Sequence, residues 1–537
     1  MTKRKRASRS NNVSKDEYNY GLDSESDDSF HVGPSRQSKP TKKIQHSKHI
    51  TIENEDHESA HSIPHAVSVH VVNSQIINEI RMALLAWYDK VHETRGMPWR
   101  KPFDASLGVE ERAQRAYEVW ISEIMLQQTQ VVTVIPYYNR WMEKFPTIRD
   151  LAASDIEVVN NLWKGLGYYS RAARLLKGAQ KAVADFGGRL PDNAKDMEAQ
   201  IPGVGRYSAG AVCSIAYNQC APVLDGNVQR LLSRFLALHA PPKSKQTLDI
   251  LWTAAEAFVE RSARPGDINQ ALIELGSTVC KVRDPACSEC PLQLWCEAYK
   301  RSCQQVDDEV VAEAEIEELC SLCQPLPQGE VGLVTIYPMK VARKKAREEL
   351  DSVNVIEWRN EDKSKRLFLL VRRPEGGLLA GLHEFPTVSN ISGAAASASA
   401  LLKTAGTLVE KYLVHPPPPF NLKISNAPLG AGVRITQIKP AGDVLHVFSH
   451  IRKTYRAQWV VLEGGTDPPE LTFTSSTSTG KPQKSRGKAK GKGKACHNSD
   501  ADTPESARWI PLDAVEDSNI GTGVLKVWNQ VKALWTN

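Results

Sequence analysis

The chain has 537 residues, 41% of them hydrophobic, and a formal net charge of +6 at pH 7. This length favours two to four domains with sizeable cores. The mild basic excess fits a polyanionic partner without establishing one. We find neither an apolar run of about eighteen residues nor a charged-then-apolar leader, so we expect an intracellular chain without a membrane span. Thiols stay reduced inside cells, which makes disulfides the weakest interpretation of the cysteines.

Residues 1–72 are polar, poor in aromatic side chains and rich in Ser, Lys, Asp and His. Such a composition cannot bury enough apolar surface to offset the entropy lost on ordering, so we predict a disordered basic tail. The run Lys3–Arg6 within it is a candidate nuclear import signal. A solvated basic tail explains these residues equally well.

The span of residues 73–300 has a helical pattern. Ile77, Ile80, Leu84 and Trp87 repeat at the spacing of a helix with one buried face. Few runs up to residue 300 resemble strands. We therefore predict an all-α domain, long enough to consist of two lobes.

The pattern changes after an acidic, proline-containing stretch at residues 301–328, which we interpret as a connector. In residues 329–537, the runs VGLVTIYP, RLFLLVRR and VLHVFSHIRKTYRAQWVVL predict strands. RWIPLDAVED and VLKVWNQVKALW predict a last strand and a helix, so this part should be an α+β domain. Residues 465–507 interrupt it with Ser, Thr, Gly and Lys, which is typical of a disordered insertion in a surface loop.

Four cysteines, Cys280, Cys287, Cys290 and Cys296, follow the spacing Cys-x6-Cys-x2-Cys-x5-Cys. Zinc sites usually have two close pairs separated by a longer loop, whereas these four contain one close pair. Thiolates in such groups also bind iron–sulfur clusters. The spacing therefore predicts a metal site, with zinc and a [4Fe–4S] cluster both open, rather than four unrelated buried cysteines.

The run IPGVGRYSAGA at residues 201–211 predicts a tight turn between two helices, which needs the backbone freedom of glycine. Backbone groups of Gly203, Val204 and Gly205, with the helix that starts near Arg206, would form an anion site. An ordinary helix–turn–helix connection is the alternative. With the cysteine group downstream, we favour a helix-hairpin-helix that binds the DNA backbone without reading its sequence.

Glu123, in VWISEIMLQQTQV, has mainly apolar neighbours at helical spacing: Val119, Trp120, Leu126 and Gln127. Most helical glutamates are solvated, but an apolar face should raise the pKa of this carboxyl and make it an acid near neutrality.

Asp225, in VLDGNVQRLLSR, is a candidate helix N-cap, and a purely structural cap is the alternative to a functional one. The start of a helix should keep its carboxylate ionised. An ionised aspartate together with a protonatable glutamate suits cleavage of a glycosidic bond.

The stretches WISEIMLQQTQV, WKGLGYYSRAARL, IPGVGRYSAGA and VLDGNVQRLLSR, with the cysteine spacing, resemble the endonuclease III group and, within it, the MutY family of DNA glycosylases. That family removes adenine opposite 8-oxoguanine. The resemblance implies a [4Fe–4S] cluster at the four cysteines, protonation of adenine N7 by Glu123, and stabilisation of the sugar cation by Asp225. Tyr207 stands where endonuclease III has a catalytic lysine. Because a phenol is a poor Schiff-base former, we expect a monofunctional glycosylase.

The same resemblance assigns further positions. Trp99 and Arg100 should line the pocket for the extrahelical adenine, and Asn227 should hydrogen-bond near the reacting sugar. The residues expected to wedge into the base stack or to contact the 8-oxoguanine side are Gln128, Thr129, Leu166 and Tyr168.

RPEGGLLAGLHEFP and HVFSHIRKTY resemble the C-terminal domain of MutY, which has a Nudix-like fold. The resemblance places Phe448, Ser449 and His450 in the loop that recognises 8-oxoguanine, and a strand with a polar patch is the alternative. The Nudix catalytic signature is missing, so we expect no pyrophosphatase activity.

The connector contains Cys303, Cys320 and Cys323. A Cys-x2-Cys pair in a reduced compartment can bind zinc. The resemblance to animal relatives suggests zinc at this connector, with a histidine from the N-terminal region as a further ligand. His65 and His70 are the two candidates, and a connector without metal is the alternative.

The resemblance also implies a monomer whose partner is duplex DNA with A·8-oxoguanine or A·G mispairs. The sliding clamp and mismatch-repair proteins are further candidate partners, although no clamp motif stands out. We expect a nuclear location and leave import into mitochondria open.

Two other functional classes fit parts of the sequence. A bifunctional endonuclease III-like glycosylase and lyase would need the missing lysine and would not need the C-terminal domain. A non-catalytic iron–sulfur DNA-binding protein would not need both Glu123 and Asp225.

Overall fold

The structure is a computed structural model that describes residues 65–303, 320–326, 332–341, 345–374, 378–392, 397–420, 432–448, 450–472 and 506–535. The run Lys3–Arg6, the predicted tail up to residue 64, and most of the predicted connector and insertion lie outside the described residues. The predicted disordered tail included residues 65–72. In the structure, Val67–His70 form a 3-10 helix, so ordered structure begins before residue 73. None of the described helices combines the length and the apolar character that crossing a bilayer requires.

The predicted helical pattern up to residue 300 is confirmed. In chain order the α-helices are α1 (Ile77–Val91), α2 (Val109–Leu126), α3 (Val131–Lys144), α4 (Ile148–Ala152), α5 (Ile156–Trp163), α6 (Ser170–Phe186), α7 (Ala194–Gln200), α8 (Arg206–Tyr217), α9 (Gly226–Phe235), α10 (Lys245–Val259), α11 (Pro265–Thr278) and α12 (Glu297–Cys303). Short 3-10 helices follow at Cys287–Glu289, Gln293–Trp295 and Val334–Ile336.

The chain divides after His92, Gln219 and Val341 into two compact units. The first unit contains α1 and α9–α12, and the second contains α2–α8 and the described residues from 345 onward. The helical region therefore contributes to both units, in keeping with the expectation of two lobes.

The first unit has its core between α1, α9, α10 and α11. The α1 face predicted from the sequence is buried at Ile77, Ile80 and Leu84, although Tyr88 rather than Trp87 completes it. Leu84 packs in one cluster with Val228 of α9 and Phe258 of α10, and all three side chains are fully buried. The spacing of apolar residues along each helix thus accounts for the packing of this unit.

The helical part of the second unit is built around large aromatic side chains. Trp120, Trp141 and Trp163 come from α2, α3 and α5 and are buried in one cluster. Trp141 and Trp163 meet edge to face, with ring centroids 5.6 Å apart. Several side chains of α2, the helix that carries Glu123, belong to this cluster.

The C-terminal part of the second unit is a mixed sheet flanked by helices, which confirms the predicted α+β class. Its strands are β1 (Arg347–Arg359), β2 (Arg366–Arg372), β3 (His383–Glu384), β4 (Thr387–Val388), β5 (Arg434–Val447), β6 (Ile451–Glu463) and β7 (Ala507–Pro511). The order is β3-β2-β1-β6-β5, with β4 on β1 and β7 on β2. β1 and β6 run parallel from the pair Arg347–Ile451 to the pair Arg359–Glu463, whereas the other pairs are antiparallel.

Both faces of this sheet are covered. Val461 of β6 lies on the face that packs against Trp528 of the helix α14 (Thr522–Lys532). Its neighbour Val460 lies on the other face, against Leu408 of α13 (Ala398–Tyr412). The alternation of side chains along β6 therefore produces a three-layer arrangement.

One predicted strand is wrong. Val334–Ile336 of the run VGLVTIYP form a 3-10 helix. Ile336 and Tyr337 pack in one small cluster with Ala298. Ile336 and Tyr337 are therefore buried without strand pairing, whereas Leu333 is exposed.

Candidate active site and metal centres

Glu123 lies on a buried face of α2 and is only 8% exposed. Its neighbours Val119 and Trp120 are also buried, as the apolar pattern predicted. α2 packs against α8, whose first turn carries Tyr207. The Tyr207 hydroxyl donates a hydrogen bond of 2.7 Å to Glu123 Oε2. The sequence marked both residues but did not predict that they are partners.

The turn between α7 and α8 has the geometry expected of a helix-hairpin-helix. Gly203 has φ +81°, and a Cβ there would lie 2.6 Å from the Cβ of Arg174. Val204 N–H donates back to Ile201 O at 3.1 Å and closes the turn. Gly205 is the N-cap of α8 and offers no side-chain cap, so an external anion can approach the start of this helix.

Asp225 is the N-cap residue of α9 in the first unit, as one reading of the sequence predicted. Its Oδ1 accepts a hydrogen bond of 2.7 Å from Val228 N–H. Its Oδ2 accepts one of 2.8 Å from the Asn227 side-chain amide. Two donors therefore fix the orientation of this carboxyl group.

Burial raises the pKa of Asp225, and this effect outweighs the opposing hydrogen bonds from Val228 and Asn227 and the charge of Arg230. The expectation that the helix start alone keeps the carboxylate well ionised is therefore wrong in direction. The physical reason is desolvation, which disfavours the charged form of a carboxyl group.

Arg230 connects the Asp225 pair to the cysteine loop, a role that the sequence analysis missed. Its Nη2 donates to Asn227 Oδ1 at 3.0 Å and to Gly276 O at 2.5 Å. Its Nε donates to Cys280 O at 3.0 Å. A Cβ at Gly276 would lie 2.8 Å from Asn227 O, so α11 can approach this network only with glycine there. The sequence signal that could have revealed this role is an arginine one to two turns after the N-cap, on the buried face of α9.

The four cysteines predicted as metal ligands, Cys280, Cys287, Cys290 and Cys296, line one cavity. Leu231 and Phe235 of α9 contribute to the same wall. All four cysteines have free thiols, so no disulfide occurs among them. Burial raises the pKa of Cys290 and of Cys296 to about 12, so a bound cation would be needed to hold them as thiolates.

Four thiols that line one cavity are a donor set that can bind a metal ion. Zinc and iron–sulfur clusters both use thiolate ligands of this kind.

Arg234 is a buried side chain at the wall of this cavity. Its Nη1 lies 3.3 Å from Cys280 Sγ and donates to Lys281 O at 2.6 Å. Its Nη2 donates to Val282 O at 3.0 Å, and its Nε donates to Tyr337 O at 2.9 Å. The arginine thus places a positive charge beside one thiol and fixes the backbone that follows α11.

His65, His70, Cys320 and Cys323 form a compact group in the first unit. His70 Nε2 lies 3.4 Å from Cys320 Sγ and 3.3 Å from Cys323 Sγ. His70 Nδ1 lies 2.9 Å from Leu236 O, an acceptor that directs Nε2 toward the sulfurs. Two imidazoles and two thiols around one point are a tetrahedral donor set that can bind a metal ion.

Two features of this group differ from the prediction. Both histidines join it, where the sequence suggested one of them. Cys303 is exposed at the end of α12 and is not in the group. The sequence could not distinguish these ligands because the connector residues 304–319, which lie outside the described part, set the separation of Cys303 from Cys320.

The residues expected to wedge into the base stack lie on two loops of the second unit. Gln128 is exposed and Thr129 half-buried, between α2 and α3. Tyr168, between α5 and α6, is 46% exposed. Leu166 is only 6% exposed and packs in the aromatic cluster, so it cannot insert into DNA from this position.

Trp99 and Arg100 precede α2 in the same unit. Trp99 is 4% exposed and packs edge to face on Tyr138, with ring centroids 5.1 Å apart. The Arg100 backbone N–H donates to Met97 O at 3.0 Å. The adenine-pocket role predicted for both residues stays a prediction.

The predicted 8-oxoguanine loop connects β5 and β6. Phe448 N–H donates to Ile451 O at 2.8 Å, and the Phe448 ring packs edge to face on His446. His450 is exposed and accepts a hydrogen bond of 3.0 Å from the Arg347 N–H through its backbone carbonyl. Ser449 lies outside the described residues.

A family model described as HhH-GPD superfamily base excision DNA repair protein matches residues 121–257. This span contains Glu123, Tyr207 and Asp225. The match therefore includes the carboxyl groups of both units.

Two curated proteins named adenine DNA glycosylase are similar to this chain over most of its length. The rat protein is 43% identical over 399 residues, which are 73% of this chain and 72% of the rat protein. The human protein is 41% identical over 401 residues, which are 73% of this chain and 68% of the human protein. Among solved structures, a thermostable thymine-DNA glycosylase matches 42% of this chain and 99% of its own at 25% identity and a TM-score of 0.35.

The His/Cys group makes a testable prediction about metal retention. We expect His70→Ala to lower affinity for the bound ion at least about tenfold, because it removes a ligand. Cys303→Ser should leave that affinity unchanged, since Cys303 is outside the group. Elemental analysis of each variant after dialysis against graded chelator checks both outcomes. Equal metal loss from the two variants would mean that Cys303 is a ligand after all.

Proposed function

Because this chain belongs to the adenine DNA glycosylase family, we propose that it removes adenine from duplex DNA where adenine lies opposite 8-oxoguanine or guanine. It is a base excision repair enzyme that hydrolyses N-glycosyl bonds. The observation that carries the proposed chemistry is the enclosed Glu123 carboxyl group, held by the Tyr207 hydroxyl. The alternatives of a lyase and of a non-catalytic protein have no comparable support.

Glu123 is the proposed general acid. Adenine is a poor leaving group until its ring is protonated at N7, and the base must first be flipped out of the duplex. Tyr207 donates to Oε2, so we assign the transferred proton to Oε1. General acid catalysis of this kind contributes about 10²–10⁴-fold to the rate.

Asp225 is the proposed stabiliser of the positive charge that develops on the sugar. It must be ionised for this role, and Val228 N–H and Asn227 both donate to its carboxylate. Arg230 donates to Asn227 Oδ1, which leaves the amide nitrogen directed at Asp225. The network therefore opposes the effect of burial on the charged form.

Tyr207 supports the assignment as a monofunctional enzyme. A lyase forms a Schiff base through an amine, and a phenol cannot supply one. The Tyr207 hydroxyl instead donates to Glu123. Water is then the acceptor of the sugar, and the products are free adenine and an abasic site.

Several surfaces support duplex DNA as the partner. The start of α8 offers a backbone anion site for phosphate. Gln128 and Tyr168 are exposed side chains that can enter a base stack. We assign recognition of 8-oxoguanine to the β5–β6 loop at Phe448, Ser449 and His450, on the family resemblance.

Two metal centres belong to the proposal. We assign a [4Fe–4S] cluster to the cavity cysteines on their thiol donors, their spacing along the sequence and the family resemblance. The His/Cys group fits a structural zinc ion through its tetrahedral set of two nitrogens and two sulfurs. When bound, these groups would contribute folding energy rather than a step in hydrolysis.

The proposal extends to location and partners. The basic run Lys3–Arg6 supports import into the nucleus, where its DNA substrate resides. We propose that the protein acts on duplex DNA as a monomer. The sliding clamp and mismatch-repair proteins are its further proposed partners.

Replacement of the acid tests the mechanism. Glu123→Gln keeps the shape and an oxygen acceptor for Tyr207, so DNA affinity should change little. The single-turnover rate of adenine release from an A·8-oxoguanine duplex should fall at least about 100-fold. Glu118→Gln on the same helix, whose partners are Lys101 and Arg115, is the control and should keep the rate. A Glu123→Gln rate above a tenth of the wild-type rate would show that another group is the acid.

The Asn227 contact predicts a shift in the pH profile. Asn227→Ala removes a donor that favours ionised Asp225, so the pKa of this carboxyl should rise further above its usual value. Because the ionised form is the active one, the acid limb of the single-turnover rate should move to higher pH. Profiles of both proteins on the same duplex measure the displacement. An unmoved acid limb would rule out Asp225 as the group that titrates there.

The cluster assignment predicts the metal content of the purified protein. We expect a brown protein that contains iron and acid-labile sulfide in equal amounts. Cys290→Ser should lose both and should lower solubility, because metal-binding energy is also folding energy. Zinc in place of iron at these cysteines, in a fully active colourless protein, would refute the cluster.

A further inference from the structure

Two loops of the second unit carry the exposed side chains proposed to enter the base stack, and both loops have an unusual backbone. Gln128 has φ 55° and Tyr168 has φ 48°. Residues other than glycine seldom adopt this left-handed region. Such conformations persist when the surrounding structure determines them, and they concentrate at functional sites.

Arg171, in the first turn of α6, contacts both loops with one guanidinium group. It is 7% exposed. Its Nη1 donates to carbonyls at the end of α2 and in the first loop: Ile124 O at 2.8 Å, Met125 O at 3.2 Å and Gln127 O at 2.7 Å. Its Nη2 donates to carbonyls of the second loop: Leu166 O at 3.3 Å and Gly167 O at 3.1 Å. The carbonyls immediately before Gln128 and before Tyr168 therefore share one donor group.

The location suits a cation. The last carbonyls of a helix have no partners within the helix and carry partial negative charge, which a buried guanidinium satisfies. Burial lowers the pKa of Arg171 to about 10, which keeps it protonated at neutral pH.

Aromatic rings complete the environment. The Arg171 guanidinium carbon lies 5.1 Å from the centroid of the Trp163 ring and 5.4 Å from that of Tyr168. Trp163 Nε1 also donates to Gly167 O at 2.9 Å. Arg171 therefore contacts the Tyr168 ring and also binds the carbonyl that precedes Tyr168.

We propose that Arg171 is a positioning residue for base-stack insertion, which holds the loops of Gln128 and Tyr168 at one fixed separation before DNA binds. The wedge is then formed in advance, and opening of the duplex does not have to order two loops. This inference rests on the proposed function, since it assumes that both side chains enter a DNA duplex.

The rival explanation is that Arg171 only supports the fold. A lysine distinguishes the two roles, because it keeps the positive charge but lacks the planar fork that spans two sets of carbonyls. Arg81 of the first unit provides a matched control. It donates to three carbonyls at the end of α10, namely those of Ala257, Phe258 and Glu260.

The experiment compares Arg171→Lys with Arg81→Lys in the full, metal-loaded chain. One readout is the single-turnover rate on an A·8-oxoguanine duplex. The other is the fluorescence of 2-aminopurine in place of the target adenine, measured in the Glu123→Gln background, which reports unstacking without cleavage. Arg171→Lys should lower both the unstacking amplitude and the rate at least about tenfold, as misplacement of positioning groups does. Arg81→Lys should leave both near the wild-type values.

A mutant cycle separates positioning from support of the fold. In a Gln128→Ala, Tyr168→Ala background the wedge is absent, so Arg171→Lys should cause no further loss. A loss of full size in that background overturns the inference. If Arg171→Lys does not fold, Arg171→Gln takes its place, and failure of both variants to fold would also overturn it. A wild-type chain that leaves the A·8-oxoguanine duplex intact contradicts the proposed function instead, whatever the variants do.

Discussion

Two arginines of α9 satisfy backbone carbonyls in the last turn of α11 and directly after it, and the candidate groups of the first unit depend on this contact. Arg230 donates to Gly276 O and Cys280 O, and Arg234 donates to Lys281 O and Val282 O. Burying guanidinium groups is costly unless their N–H groups find acceptors, so the two partners stabilise each other's position. Because Arg230 also fixes the amide of Asn227, a shift of the cysteine loop would be transmitted to Asp225.

Buried charged side chains with several hydrogen-bond partners also occur in other parts of the chain. Arg171 and Arg81 bind carbonyls at the ends of α2 and α10. In the sheet, Glu357 is fully buried, and its carboxylate accepts from Arg359 at 2.7 Å and from Trp459 at 2.8 Å. Arginine is suited to these positions because its donors form a rigid, planar fork. The rigidity of the candidate sites therefore comes from charged groups as much as from the apolar cores.

Local patterns in the sequence predicted those features that depend on near neighbours. The buried face of α1, the turn at Gly203 and the N-cap at Asp225 each follow from a few adjacent residues. The sequence missed β1 because its strand REELDSVNVIEWR contains Asp351 and Glu357, which find partners in the distant residues Lys453 and Trp459. Leu166 was assigned to the wedge or the 8-oxoguanine side by resemblance, and nothing local shows that it packs in the aromatic cluster. Arg171 and Arg230 were missed for a similar reason, since acceptors such as Ile124 O and Gly276 O are distant along the chain.

The parallel pairing of β1 with β6 has a consequence for synthesis of the chain. The paired residues run from Arg347–Ile451 to Arg359–Glu463, so roughly a hundred further residues must be synthesised before β1 can pair with β6. The hairpin of β5 and β6 is local by comparison and can form as soon as it leaves the ribosome. A message that stops before residue 451 would leave β1 without β6, as an edge strand, with Trp358 and Ile356 deprived of part of their cover. Truncated products of that kind should be recognised by chaperones and degraded, even though every helix up to residue 303 is already encoded.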